Sequence, residues 1–200
     1  MTGIPVTAAG GGGDEDPIRF ERLCRDLELA RAALPGGYRA EIIGGRIVMS
    51  PWARGFHNRV LESLLAQLTP HVPPGQAART TPGLFLFPRQ SRVYGPDLHV
   101  ADRTATPGTG FLLPGAALSL VAEQTSGATR EADWTEKADV YGRAQVPVYL
   151  LLDMREATVT VFHDPTPGLG YRQRSGVTFG ERVRVPEPFG FALDTAGWER

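Results

Sequence analysis

The sequence predicts a mixed α/β fold in a single domain, and three features of the chain carry that prediction. Tyr38 to Met49 gives two β-forming runs joined by Gly44-Gly45, a dipeptide suited to a two-residue hairpin turn. A near-continuous apolar run from Ala117 to Glu123 and another from Val146 to Asp153 flank a helical pattern from Glu131 to Ala144, which reads as one right-handed βαβ unit. The 200 residues are 42% hydrophobic and 22% charged, enough for one core, and no repeat or internal linker divides them.

The remaining elements follow in chain order. Residues 1–16 hold the run Gly10 to Gly13 and then Asp14, Glu15 and Asp16, and read as a disordered tail ahead of a domain spanning 17–200. Pro17 opens a helix to about Ala33, with Phe20, Leu23, Leu27 and Ala30 on one face, and Pro35-Gly36-Gly37 ends it. After the hairpin, a second helix is predicted from about Arg54 to Leu68 on the stripe Val60, Leu61, Leu64, Leu65 and Leu68. Strands are predicted over Gly83 to Phe87 and Tyr94 to Ala101, a Gly/Pro/Thr loop over Thr104 to Pro114, and a strand over Ala157 to His163. Short β runs punctuated by Gly and Pro fill Tyr171 to Phe191.

Composition narrows the function classes. A net charge of −1 advertises no polyanion partner, although a local basic rim is compatible with it. The single cysteine, Cys24, excludes an intramolecular disulfide and a cysteine-based zinc cage. No apolar segment approaches the ~20 residues that span a bilayer, and the N-terminus has no basic region followed by an apolar run, so a cytoplasmic protein is the expectation. Of the 21 Lys and Arg residues only Lys137 is lysine. Where arginine serves everywhere else, a lone lysine marks a place for a compact ammonium.

The residues that carry chemistry lie in the middle of the chain. Strand alternation puts Asp97, His99 and Ala101 on one face and Leu98 and Val100 on the other. Glu123 ends an apolar run that belongs inside a sheet, where a charge needs a partner or a metal ion. Such strand ends are where α/β sheets place their binding groups. On the following helix Asp133, Lys137 and Tyr141 are spaced i, i+4, i+8 and share a face. Two carboxylates from neighbouring strands and one ammonium from the adjoining helix suit phosphodiester hydrolysis. Hard oxygen ligands hold a divalent cation such as Mg²⁺, and the ammonium orients or deprotonates water and offsets transition-state charge.

The series Pro96-Asp97, Glu123-x-x-Ser126, Asp133-x-x-x-Lys137-x-x-x-Tyr141 and Val146-Pro-Val-Tyr-Leu-Leu-Leu-Asp153 resembles the Uma2-type family of restriction-endonuclease-like proteins, within the PD-(D/E)xK nuclease superfamily. The early block Tyr38-Arg-Ala-Glu41-Ile-Ile-Gly-Gly-Arg-Ile-Val-Met-Ser-Pro51 is similar to that family's Tyr-Glu-Leu-Ile-Asp-Gly opening, and the resemblance runs from about residue 17 to 197. It implies a restriction-endonuclease-like mixed β-sheet core flanked by helices, preceded by a helix and a hairpin. It also implies that Asp97, Glu123 and the backbone carbonyl of Gln124 bind Mg²⁺ (Mn²⁺ substituting), with Lys137 as a catalytic group. Thr125 stands where the superfamily usually has its lysine, and Lys137 would reach in from the helix to replace it. Glu41 would be an auxiliary acid, but the face it occupies depends on the strand register. Tyr141 has an auxiliary role as a packing residue whose hydroxyl donates to Glu or accepts from Lys. His57, flanked by Arg54 and Arg59, reads either as a phosphate contact or as a surface residue.

Three functions compete, one of them a metal-dependent hydrolase for a small phosphoester. The leading expectation is a metal-dependent endonuclease hydrolysing DNA, with RNA as a further substrate class and a homodimer supplying paired active centres. The alternative is a catalytically weak or inactive nuclease-fold protein that binds nucleic acid or a protein partner.

Overall fold

The computed structural model describes residues 4–5, 17–51, 56–80, 83–106, 111–125 and 129–198. Two sheets face each other across the helix that carries Lys137. The larger sheet has seven strands: β1 (Ile4–Pro5), β4 (Gln76–Arg79), β7 (Leu98–Asp102), β9 (Leu118–Gln124), β10 (Val148–Asp153), β11 (Thr158–Thr166) and β12 (Gly170–Thr178). Their order is β1-β12-β11-β10-β9-β7-β4. Only β9 and β10 run parallel within it. The segment between them, residues 130–143, is the helix α3, so the predicted βαβ unit is present. The smaller sheet, ordered β3-β2-β6-β5-β8, contains the hairpin β2 (Tyr38–Ile43) and β3 (Arg46–Pro51), then β5 (Leu84–Phe87), β6 (Arg92–Tyr94) and β8 (Leu112–Pro114). The last strands, β13 (Arg182–Val185) and β14 (Phe191–Asp194), form a separate ribbon. No helix among the described residues is long and apolar enough to cross a membrane.

Burial follows the predicted alternation. Leu98, Val100, Leu120, Ala122, Leu150 and Leu152 point to one side of the larger sheet. There they pack with Val60, Leu64 and Leu68 of α2 (Phe56–Leu68) and with the β13–β14 ribbon. Ala101, Val121, Tyr149 and Leu151 point to the other side, against Val140 and Tyr141 of α3 and Phe85 and Phe87 of the smaller sheet. The helix α1 (Pro17–Ala33) covers the far face of the smaller sheet through Phe20 and Leu27, which meet Ala40, Ile42 and Val93.

Four elements differ from the sequence prediction, one of them β8, a strand at the end of the segment read as a loop over Thr104 to Pro114. Tyr94 to Ala101 is two strands in two different sheets, and Gly95-Pro96-Asp97 carries the chain from one to the other. A Cβ at Gly95 would stand 2.8 Å from Leu84 Cδ2, so a larger residue at the crossing would push the Leu84 side chain aside. Gln76–Arg79 pairs antiparallel with β7, although Gln-Ala-Ala-Arg has no β-branched or aromatic residue to announce a strand. Residues 4–5 pair at the sheet edge with Gln173 and Arg174, and the rest of the predicted tail over 1–16 lies outside the described residues.

Gly142 sets how closely α3 approaches β12. A Cβ there would lie 2.7 Å from the Tyr171 nitrogen and 2.8 Å from the Gly170 Cα, and backbone cannot yield as a side chain can. Gly142→Ala is therefore expected to destabilise the fold by about 1–3 kcal/mol through overpacking, read as a lower urea midpoint at unchanged m-value.

His99 is buried beside Phe85, with its Nδ1 lacking a hydrogen-bond partner, and burial, aided by Arg79, pushes its pKa down to about 4. A depressed histidine favours the fold while neutral, so its contribution is complete above pH 6.5 and is lost as pH falls toward about 4. His99→Phe should flatten the stability profile across that window by about 3 kcal/mol, measured by denaturant unfolding at pH 4 and pH 7.

Candidate active site

The site lies where the two sheets and α3 meet. Along β9, Val121 and Glu123 point toward α3, and pairing with β10 sets Glu123 beside Leu151. The β7–β9 register pairs Leu98 with Ala122, so one residue earlier Asp97 stands opposite Glu123. Asp97 is fixed there because its Oδ2 accepts the Gln124 backbone N–H at 2.7 Å. In extended chain the N–H and C=O of one residue face the same neighbour, so the Gln124 carbonyl belongs to the Asp97 edge.

The hairpin delivers a second pair of charges. Ala40 and Ile42 of β2 lie under α1, and the alternating residues Arg39 and Glu41 point into the pocket. The register thus puts Glu41 on the pocket face. It accepts the Gly95 N–H at 2.8 Å and lies 3.5 Å from Lys137 Nζ. Arg39 spans three acids: its Nη1 donates to Asp97 Oδ1 at 2.7 Å, its Nε is 3.3 Å from Glu41 Oε2, and its Nη2 is 3.8 Å from Glu123 Oε2.

The helix supplies the lysine through a π-helical turn. Within α3, Arg130–Ala132 and Ala138–Arg143 are α-helical and Asp133–Lys137 is π-helical, a local widening often found at functional sites. The Tyr149 hydroxyl donates to the Asp133 carbonyl at 2.9 Å and holds the turn against β10. Lys137 Nζ then sits 2.9 Å from Glu123 Oε1 and 3.1 Å from Asp133 Oδ1, with no solvent exposure. Tyr141, one further turn along, donates its hydroxyl to the same Glu123 Oε1 at 2.8 Å. The outward face of the turn is clamped too. Glu136 accepts the Gly44 N–H at 2.9 Å, Arg92 Nε at 2.6 Å and the Tyr94 hydroxyl at 2.8 Å. The start of α3 is tied to β10, because Asp153 accepts from Arg130 Nε at 2.9 Å and Trp134 Nε1 at 2.8 Å. Thr125 straps the same corner by accepting the Met154 N–H at 3.1 Å.

The electrostatics are unbalanced. Four buried carboxylates (Glu41, Asp97, Glu123 and Asp133) face two buried cations, Arg39 and Lys137, a formal excess of two negative charges. Burial, with Asp97 and Glu41, pushes Glu123 up to about 8 against the pull of Lys137 and Arg39. Burial also raises Asp133, despite Lys137 and Thr129. Burial would lower Lys137 as well, but Glu123, Glu41 and Asp133 outweigh it and hold the ammonium above its usual range. Burial and the neighbouring Glu123 keep the Tyr141 hydroxyl protonated, which suits a donor. Glu41 Oε2 and Glu123 Oε2 are fully buried without a hydrogen-bond partner.

The structure therefore brings Asp97, Glu123, Lys137, Glu41 and Tyr141 into one cluster. His57 falls within α2, but its side chain lies outside the described residues. Sequence reasoning gave no role to Arg39, Asp133 or Glu136. For the first two a signal existed: Arg39 is two residues from Glu41 on an alternating strand, and Asp133 shares the helix face of Lys137. Glu136 gave none, since its three partners come from the hairpin turn and β6.

No curated protein matches the chain. Among solved structures, a "putative nuclease belonging to DUF820" from Anabaena variabilis ATCC 29413 shares the fold at 17% identity. The match covers 86% of this chain and 97% of that one, with a TM-score of 0.61. Residues 19–196 match the Uma2 family, described as "Putative restriction endonuclease", a span that runs from within α1 to beyond β14. On that match the chain belongs to the Uma2 family.

Proposed function

We propose that the chain is a metal-dependent endonuclease that hydrolyses DNA phosphodiester bonds. The observation that carries this reading is a buried pocket in which four carboxyl groups meet only two cations, with Asp97, just ahead of β7, and Glu123 of β9 side by side next to a lysine. A divalent cation there would favour the ionised form of these acids and neutralise the pocket. The donor chemistry fits such an ion, because carboxylate oxygens suit Mg²⁺ or Mn²⁺ and the buried Glu41 Oε2 and Glu123 Oε2 have no hydrogen bond to lose.

Asp97, Glu123 and the Gln124 carbonyl would hold the cation, with Glu41 as the auxiliary acid. Bound there, it supplies Lewis acidity toward a phosphodiester and neutralises the pocket. The chain's own groups do the rest. Lys137, held charged by its acidic neighbours, acts as an ammonium donor that stabilises developing phosphoryl charge and orients water, not as a base. Tyr141 fixes the Glu123 carboxylate by its hydroxyl, and Asp133 holds Lys137 at the π turn. Purified protein should nick supercoiled plasmid DNA with Mg²⁺ or Mn²⁺ and stop when EDTA is added. Failure to cut any DNA or RNA under those conditions sinks the reading.

A further inference from the structure

The acidic pocket holds a cation of the chain's own. The Arg39 guanidinium is 7% exposed and lies within ion-pair distance of Asp97, Glu41 and Glu123 at once. Its Nη1 also donates to Gly95 O at 2.7 Å, and its Nε donates to Ser50 Oγ at 3.2 Å. The two acid oxygens nearest its Nε and Nη2, Glu41 Oε2 at 3.3 Å and Glu123 Oε2 at 3.8 Å, are buried without a hydrogen-bond partner. Among the described residues no three acidic, histidine or cysteine side chains converge as a ready cation cage. The carboxylates are arranged around the guanidinium instead.

We propose that Arg39 is the resident counter-cation of this pocket, and that a divalent ion binds by taking the Glu41 and Glu123 oxygens away from it. Resting on the cation site proposed above, this makes Arg39 the residue that sets how much divalent ion the site needs. Two cations sharing one set of buried oxygens repel each other, so the guanidinium weakens the ion it faces. Asp97, Gly95 O and Ser50 Oγ keep hold of Arg39 after the exchange, so it stays at the rim of the pocket as the other two acids turn to the ion. Lysine cannot span three acids as the guanidinium fork does, which gives a graded series of variants.

The test is calorimetric titration of Mn²⁺ into the wild-type chain, Arg39→Lys and Arg39→Gln, with thermal unfolding recorded with and without Mn²⁺. Affinity is expected to rise in that order, with Arg39→Gln binding about tenfold tighter or more. Arg39→Gln should also show a lower Tm than wild type without metal and a larger rise on adding Mn²⁺. Should Arg39→Gln fail to fold even with Mn²⁺, wild type against Arg39→Lys decides. Tighter binding by the lysine variant supports the proposal, and equal or weaker binding overturns it. Arg39→Gln that binds Mn²⁺ no better than wild type overturns it while leaving the cation site intact. No Mn²⁺ binding by any of the three overturns the cation site and the proposal together.

Discussion

Replacing Lys137 by methionine is expected to lower DNA cleavage by about 10²–10³-fold, the loss that follows removal of one preorganised charged donor. The effect on stability should be large as well. Lys137 is fully buried against Glu123, Asp133 and Glu41, and without it these acids lose their main partner. Stripping one partner from a buried charge cluster costs about 3–5 kcal/mol, so the variant should unfold at clearly lower denaturant when no divalent ion is present. Lys137→Arg should restore neither property. The cavity is shaped for one ammonium between three acids, and a planar guanidinium needs a different hydrogen-bond geometry. Single-turnover plasmid cleavage and urea unfolding, measured on the same preparations, check both halves.

Glu123→Gln should separate activity from stability. Cleavage should fall at least as far as for the lysine variant, because a neutral amide is a poor ligand for a hard cation. Stability should move the other way. Glu123 has a folded-state pKa pushed up to about 8 from an ordinary 4.5, so the fold favours its protonated form. That preference is intact below pH 4.5 and is lost as pH rises through about 8, where keeping the carboxylate charged costs folding energy. Glutamine mimics the protonated acid and escapes this cost. The variant should therefore match wild type near pH 4.5 and become the more stable of the two as pH rises toward 8. A Glu123→Gln chain less stable than wild type at pH 8 would mean that the carboxylate is held charged by Lys137 and Arg39 alone.

What the sequence made legible was whatever depends on period and rarity. Alternation and the apolar run pointed to Asp97 and Glu123 as neighbours; Asp97 falls just ahead of β7, and the β7–β9 register extended by one residue sets it opposite Glu123. The i, i+4, i+8 spacing put Asp133, Lys137 and Tyr141 on one face, and that face meets the sheet. The lone lysine among 21 basic residues is fully buried. What stayed hidden depends on contacts between distant segments. The π turn over Asp133–Lys137 has no local sequence signature and is held by Tyr149 from β10 and Glu136 bound to the hairpin. The split at Gly95 was visible as Gly-Pro, but only a second sheet explains why the chain breaks there. Glu41 could not be placed from alternation alone, because that gives two faces without saying which is covered by α1. Strand β4 was invisible because its residues have weak β-preference and are held by pairing with β7.

A crystal structure grown with Mn²⁺, phased to show the metal by anomalous scattering, bears most directly on whether these acids share a cation. The expected result is one peak at about 2.1 Å from oxygens of both Asp97 and Glu123, with Lys137 still beside Glu123. A map with no peak there, and Arg39 still bridging Asp97, Glu41 and Glu123 at saturating Mn²⁺, would contradict a hydrolytic metal centre in this chain.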